Sequence, residues 1–112
     1  MGVETSYWFA DFNDMHRAIE EASAVLQASG YEVKGAYNPI LQANEYGILD
    51  KTQQIVGTLI AKNDVDPQTN AVSGGTLTFE SSHTQALKMK NTVESAAFAH
   101  HAQEPTAALR YQ

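Results

Sequence analysis

Residues 3–31, VETSYWFADFNDMHRAIEEASAVLQASGY, decide the fold of this chain. The run opens with β-branched and aromatic residues in alternation over 3–10, which favours a strand covered at least partly on both sides. Asp11 then provides a good helix N-cap, and Gly30 is the residue type that accepts the left-handed backbone after a helix. Between them, apolar residues recur every three or four positions, which predicts an amphipathic helix. These residues are Phe12, Met15, Ile19, Ala22 and Leu26.

The remaining sequence predicts further strands and a second helix. Strands are expected over 31–37, 54–62 and 76–81, with a short additional one at 46–49 and a long turn at 63–75. Residues 38–52 have no clean period but are too apolar for a bare solvent loop, since they include Ile40, Leu41, Tyr46, Ile48 and Leu49. A helix over 84–102, capped by Ser82 or Thr84, should end before Pro105. Residues 106–112 then form a final edge strand or a loose tail.

This order, β-α-β-(β)-β-β-α-(β), predicts an α+β domain. A β-α-β start joins parallel strands by a right-handed crossover. Together with the later hairpin and second helix, it approaches a ferredoxin-like two-layer sandwich. We expect a mostly antiparallel sheet of four or five strands with two helices on one face. The chain has 112 residues and contains neither a linker nor a repeat, so 1–112 is expected to be a single compact domain.

Composition excludes several classes of function. The chain has no cysteine, which rules out disulfides, cysteine zinc sites and thiol catalysis. No stretch reaches the roughly 18–20 apolar residues of a membrane helix, and the N-terminus lacks the pattern of a signal peptide. We therefore expect a cytoplasmic protein without membrane contact. Lys88 and Lys90 are the closest basic pair, and without a basic cluster we expect no direct nucleic-acid binding.

The acidic charge is unevenly distributed. The net charge is −6, and residues 1–50 hold eight acidic and two basic residues, whereas residues 51–112 hold five of each. Asp14, Glu20 and Glu21 are predicted to form an acidic face on the first helix. Such a face suits a basic partner protein. One version is an acidic decoy that occupies a nucleic-acid-binding site on another protein.

Aromatic side chains concentrate on or beside the predicted strands. With helices on one face of the sheet, the other face would display Tyr7, Trp8, Tyr31, Tyr37 and Tyr46. An exposed aromatic face of this size rarely stays bare. Acidic rather than basic residues flank these rings, which disfavours stacking on single-stranded RNA. We therefore expect the aromatic face to mediate contact with another protein or self-association, as a homodimer. The alternative is that these rings pack in an ordinary hydrophobic core.

Catalytic and metal-binding patterns are weak. His100 and His101 are adjacent, so on a helix they point about 100° apart, and His83 lies roughly 25 Å along the same predicted helix. Residues 64–70 resemble a calcium loop but lack the glycine and the closing glutamate that such a loop needs. Residues 81–83, Ser-Ser-His, do not form a nucleophile elbow. The sequence therefore assigns no catalytic residue, no metal ligand and no cofactor.

Two functions remain open from sequence. The first is a non-enzymatic interaction or regulatory domain that self-associates and meets a basic partner on its acidic helix. The alternative is a small-molecule-binding protein or small enzyme with an aromatic-lined pocket between the sheet and a partner subunit. In that alternative, His16 or His83 would join the aromatic residues in the pocket.

Overall fold

The computed structural model describes residues 2–103, which form five strands and two helices. The strands are β1 (Val3–Phe9), β2 (Glu32–Asn38), β3 (Ala43–Leu49), β4 (Ile55–Val65) and β5 (Val72–Ser81). The helices are α1 (Phe12–Ala28) and α2 (Ala86–Ala99). All strands belong to one antiparallel sheet in the order β1-β5-β4-β3-β2, and the two helices pack against each other and against the sheet. The predicted α+β class with a mostly antiparallel sheet is confirmed.

The strand order shows that the predicted ferredoxin-like arrangement is wrong. β2, β3, β4 and β5 follow one another as a meander, and β1 pairs with β5, so β1 and β2 lie at opposite edges of the sheet. Short turns at 39–42, 50–54 and 66–71 let each strand of the meander fold back onto the strand before it. α1 has 17 residues and is therefore about 25 Å long. That length is enough to carry the chain across four strand spacings of about 4.8 Å each.

α1 forms as the sequence predicts. The Asp11 side chain accepts a hydrogen bond from the backbone N–H of Asn13 at 2.8 Å and caps the helix. Its buried stripe consists of Met15, Ala18, Ile19, Ala22 and Leu26, whereas Phe12, which the sequence predicts to belong to it, is only half-buried at the first turn. Gly30 follows the helix with φ +98°, a conformation that glycine adopts without steric cost. The N-cap, the apolar spacing and the terminal glycine together fix both ends of α1 and its buried face.

Several other boundaries differ from the prediction. β3 begins at Ala43 rather than at 46, and the expected long turn at 63–75 shortens to 66–71 because β4 and β5 both extend into it. α2 begins at Ala86 with Gln85 as N-cap and without a side-chain capping bond, so the predicted caps Ser82 and Thr84 are wrong. Residues 106–112, predicted as a final strand or tail, lie outside the described residues.

The hydrophobic core lies between the sheet and the two helices. Its largest fully buried side chains are Tyr7, Phe9, Ile48, Leu59, Leu77 and Phe79 from the sheet and Met15, Leu26, Met89 and Val93 from the helices. Successive residues of a strand point to opposite faces, so this burial defines a helix-side face. The residues between them form the opposite, uncovered face, which we call the open face.

The two helices do not cover the helix-side face completely. In the first turn of α1, Met15 lies against Gly75 of β5, whereas the helix ends beside β2 at the far edge. α2 packs beside it over β1, where Phe98 meets Tyr7 edge to face with ring centroids 5.9 Å apart. This diagonal path leaves a corner over the end of β2, where Tyr37 is 62% exposed. Neither helix within residues 2–103 has the length and apolar character needed to cross a membrane.

Candidate functional site

The five aromatic residues predicted as one binding face do not lie together. Tyr7 and Trp8 are consecutive in β1 and so point to opposite faces. Tyr7 is buried in the core, whereas Trp8 lies on the open face. Tyr37 and Tyr46 lie on the helix-side face, and Tyr31 precedes β2 and packs half-buried against the core. Of the five, the open face carries Trp8 alone, which corrects the expectation of an aromatic sheet face.

The open face is mainly polar. Strand register places on it the hydroxyl residues Ser6, Thr58, Thr76 and Thr78 and the acidic residues Glu4, Glu45 and Glu80. The Ser6 and Thr78 hydroxyl oxygens are 2.9 Å apart, and the Trp8 indole N–H donates to Asp64 at 2.8 Å. Antiparallel sheets commonly show such a polar face to water. This face therefore gives little physical basis for the predicted self-association.

A groove between α1 and β3 brings together one predicted aromatic and one predicted acidic residue. We call it the α1–β3 groove; its volume is about 510 Å³, and it is lined by His16, Ile19, Glu20, Ser23, Ala24, Gln27 and Tyr46. Tyr46 lies directly opposite Gly35 of β2 and is half-buried. Burial raises the pKa of the Tyr46 hydroxyl. The hydroxyl is therefore neutral near pH 7 and available as a hydrogen-bond donor.

Beyond the groove, the β2–β3 hairpin carries three exposed apolar side chains. Tyr37 is 62% exposed, Ile40 91% and Leu41 39%. The turn that carries the last two is hydrogen-bonded: the Asn38 side-chain oxygen accepts from the backbone N–H of Ile40 at 3.0 Å and of Leu41 at 3.2 Å. Gln42 completes the turn with φ +53°. We call residues 39–42 the hairpin tip, and these hydrogen bonds fix its backbone.

Sequence reasoning did not select Ile40 or Leu41 as site residues. The signal was present, because residues 38–52 are too apolar for a loop exposed to water. What the sequence does not reveal is that the apolar residues divide between two places. Ile48 enters the core, whereas Ile40 and Leu41 project from the hairpin tip.

The three predicted acidic residues of α1 have different surroundings. Asp14 pairs with Arg17 at 3.0 Å, and Glu21 lies 3.0 Å from His100 of α2. Glu20 points into the α1–β3 groove, and no cation lies within 4.0 Å of it among residues 2–103. Six residues apart on a helix, Asp14 and Glu20 differ in direction by roughly 120°. The acidic face predicted from the sequence is therefore divided between two sides of α1.

The histidines also lie in separate places. His16 lines the α1–β3 groove and meets the Phe12 ring edge to face with ring centroids 5.9 Å apart. His83 lines a different open cavity of about 680 Å³, whose other polar side chains include Glu4 and Glu80. His100 contacts Glu21 at the end of α2. Within residues 2–103, no group of three or more histidine and acidic side chains is placed to hold a metal ion.

Comparisons of the chain with protein-family models, with curated proteins and with solved structures found no match.

Proposed function

We propose that this protein is an interaction domain that binds a segment of a partner protein with apolar side chains and at least one Lys or Arg. The segment would lie along the α1–β3 groove and against the hairpin tip. One observation carries the proposal: Tyr37, Ile40 and Leu41 are exposed within five residues of one ordered hairpin. Single exposed apolar residues are common on protein surfaces, whereas grouped ones mark interaction sites.

The order of the hairpin tip supports this proposal. Binding costs free energy when side chains and loops must be immobilised, so a surface that is already ordered binds more tightly. The hydrogen bonds from Ile40 and Leu41 to Asn38 fix the turn before any partner arrives. Tyr37 adds an aromatic ring next to the tip, and tyrosine is among the residues that contribute most at interfaces.

The charge of the groove supports a basic residue in the partner segment. Asp14 already pairs with Arg17, and Glu21 lies 3.0 Å from His100. Glu20 has no Lys, Arg or His within 4.0 Å among residues 2–103. A single rim charge contributes more to orientation and association rate than to affinity. A broad acidic decoy surface is less well supported, because two of its three predicted residues are paired internally.

The test uses three synthetic 12-residue peptides and NMR spectra of the ¹⁵N-labelled full chain. One peptide alternates Leu and Lys, the second Leu and Glu, and the third Ser and Lys. We expect the Leu/Lys peptide to shift the amide signals of Tyr37, Ile40, Leu41 and Tyr46, and the other two to bind at least several-fold more weakly. Equal shifts from Ser/Lys and Leu/Lys would overturn the apolar contact.

Matched variants locate the binding surface. Ile40→Ser removes an exposed isoleucine from the hairpin tip, and Ile55→Ser removes one that is 69% exposed at the start of β4. We expect the first to weaken binding of the Leu/Lys peptide and the second to leave it unchanged. Glu20→Gln and Glu4→Gln are the corresponding matched variants for charge. Only Glu20→Gln should reduce the preference for the Leu/Lys peptide over the Leu/Glu peptide. Equal effects within either pair would contradict the proposed surface.

A small-molecule ligand is the second candidate function. The α1–β3 groove brings His16 and Tyr46 together in about 510 Å³, within the usual range for ligand pockets. Trp8 lies on the open face and would not report such a ligand by its fluorescence. A metabolite panel that shifts the signals of His16 and Tyr46, while the Leu/Lys peptide shifts none, would favour this alternative.

A further inference from the structure

We propose that β2 pairs with β2 of a second copy of this chain. The two strands would run antiparallel, so that two five-stranded sheets join into one continuous sheet with all four helices on the same side. The pairing does not depend on what binds in the α1–β3 groove, but it assigns Tyr37 to the contact between the two copies. Ile40 and Leu41 then remain as the apolar groups of the hairpin tip for a partner segment. Self-association would then occur through the edge strand β2, and not through the open face of the sheet.

β2 is available for such pairing. It lies at the end of the sheet and pairs with β3 alone among residues 2–103. An edge strand presents a row of unpaired backbone N–H and C=O groups, which proteins often blunt with proline, charged side chains, bulges or covering segments. The charges of β2 are Glu32 and Lys34, which lie 3.8 Å from each other within the strand. β2 contains no proline, and its pairing with β3 runs over seven residues without a bulge. At the other edge, Gln103 donates its backbone N–H to the Trp8 carbonyl at 2.8 Å and covers the end of β1.

One register fits the side chains of both faces. If Gly35 lies opposite Gly35 of the second copy, all seven residues of each strand are paired. On the helix-side face, half-buried Val33 then lies opposite exposed Tyr37 of the second copy, twice per dimer. Pairs of an aromatic and a β-branched residue directly across two strands are favourable. The contact also covers Tyr37, which at 62% is the most exposed Phe, Trp or Tyr among residues 2–103.

Charge complementarity on the open face supports the same register. Ala36 would lie opposite Lys34 of the second copy, and within its own chain Ala36 lies opposite Glu45. Because alanine is small, the incoming Lys34 side chain can extend over it towards Glu45. The Glu45 carboxylate has no Lys, Arg or His within 4.0 Å among residues 2–103 and receives a hydrogen bond from the Asn38 side chain at 3.3 Å.

Neighbouring registers are less favourable. All four helices lie on one side of the joined sheet only when helix-side residues of one β2 lie opposite helix-side residues of the other. The register can therefore shift only in steps that keep this pairing. One such shift places Lys34 opposite Lys34 of the second copy, and like charges directly across two strands are destabilising. The shift in the other direction places Ala36 opposite Ala36 and leaves Glu32 and Val33 without partners. The register centred on Gly35 avoids both losses.

The experiment measures the mass of the full chain by sedimentation equilibrium over a wide range of concentrations. The wild-type mass should rise from 12.2 kDa towards twice that value. Ala36→Lys places a lysine opposite Lys34 of the second copy and should raise the dissociation constant by about tenfold, because the repulsion occurs twice per dimer. Ala36→Glu provides the matched attraction and should keep or strengthen the dimer.

The two variants should change the stability of the monomer in the opposite direction to their effect on the dimer. Stability measurements therefore separate an effect on assembly from an effect on folding. Within one chain, Lys at position 36 would face Glu45, whereas Glu at that position would be repelled by it. At concentrations where wild type and variant are both monomeric, Ala36→Lys should therefore not lower the melting temperature, although it weakens the dimer at higher concentrations. Wild type that stays monomeric at every concentration, or Ala36→Lys that dimerises as wild type does, overturns the proposal. So does loss of the dimer in Ile40→Ser, because that would place the contact at the hairpin tip.

Discussion

Tyr46 of β3 occupies the space that a side chain at Gly35 of β2 would need. The two residues lie directly opposite each other, and a Cβ atom at position 35 would lie 2.5 Å from ring atoms Cδ2 and Cε2. Real Cβ atoms do not approach a ring this closely, so the ring position depends on the glycine. Because Tyr46 also lines the α1–β3 groove, Gly35 determines part of the shape of the candidate site.

Gly35→Ala is therefore expected to destabilise the fold by about 1–3 kcal/mol, the usual cost of forcing a packed side chain to move. The free energy of unfolding in urea is the measurement. Gly47→Ala is the matched control, since the nearest atom to a Cβ there is 3.9 Å away. We expect that control to be neutral or slightly stabilising. Equal stability of the two variants would show that Tyr46 does not depend on Gly35.

The two helix N-termini provide a second matched pair. Asp11 caps α1 through Asn13, whereas the Gln85 side chain makes no capping bond at α2. Asp11→Ala should lower the free energy of unfolding by about 1 kcal/mol, the usual value for loss of a cap. Gln85→Ala should leave it unchanged. A loss of similar size in both variants would contradict the assignment of Asp11 as the cap.

Tyr7 should make stability depend on alkaline pH. Burial raises its pKa from 10.0 to about 12, and the Glu94 carboxylate, which accepts a hydrogen bond from the Tyr7 hydroxyl at 3.2 Å, adds to the rise. A raised folded-state pKa means that the contribution is complete below pH 10 and is lost as pH rises from 10 to about 12. Tyr7→Phe should lack this contribution and keep the alkaline dependence that comes from Tyr46, whose pKa burial also raises.

The measurement for Tyr7 is the melting temperature of both proteins across this pH range, together with the absorbance of ionised tyrosine. Wild type should show a tyrosine that ionises last, near pH 12, and Tyr7→Phe should lack it. Identical tyrosine titration curves for the two proteins would show that Tyr7 is not the group with the raised pKa.

Asp50 should make stability depend on acidic pH. The Thr52 hydroxyl donates to its carboxylate at 2.6 Å, and the backbone N–H groups of Gln54 and Thr52 donate to the same oxygen. These bonds hold the pKa of Asp50 below its ordinary value of 3.8, with the Thr52 side chain as the largest cause. The stabilising contribution is therefore present above pH 3.8 and lost as pH falls through the lowered pKa.

NMR titration of the Asp50 carboxyl carbon tests this assignment. Thr52→Val removes the hydroxyl donor and should move the pKa of Asp50 back towards 3.8. The stability difference between wild type and Asp50→Asn should disappear in acid. A Thr52→Val protein with an unchanged Asp50 titration would show that the turn hydrogen bonds are not the cause.

Much of the local structure follows from sequence because its causes lie close together in the chain. The α1 cap, its buried stripe and its terminal glycine are all within 20 residues of one another. The strand that the sequence marks as β4 is also confirmed, although it extends further than alternation alone indicates. The start of α2 is wrong by a few residues because Ser82 and Thr84 are good caps that the tertiary structure does not use.

The candidate site was harder to predict than the elements that carry it. The sequence selected Tyr37, Tyr46 and Glu20, which lie at or beside the groove, but grouped them with Tyr7, Trp8 and Glu21, which lie elsewhere. Alternation in β1 separates Tyr7 from Trp8, and this could have been stated in advance. Which of the two would be covered by helices could not.

The sequence by itself determined the helices, the strands, the acidic charge of the first half and the absence of cysteine chemistry, because these depend on residue type and short-range spacing. The tertiary structure alone decided that β1 pairs with β5, that α1 crosses the sheet diagonally, and that a groove opens between α1 and β3. A period of two specifies that a strand has two faces but not which strand lies beside it. That choice is made by backbone hydrogen bonding and burial between residues such as Thr5 and Phe79, which are far apart in the chain.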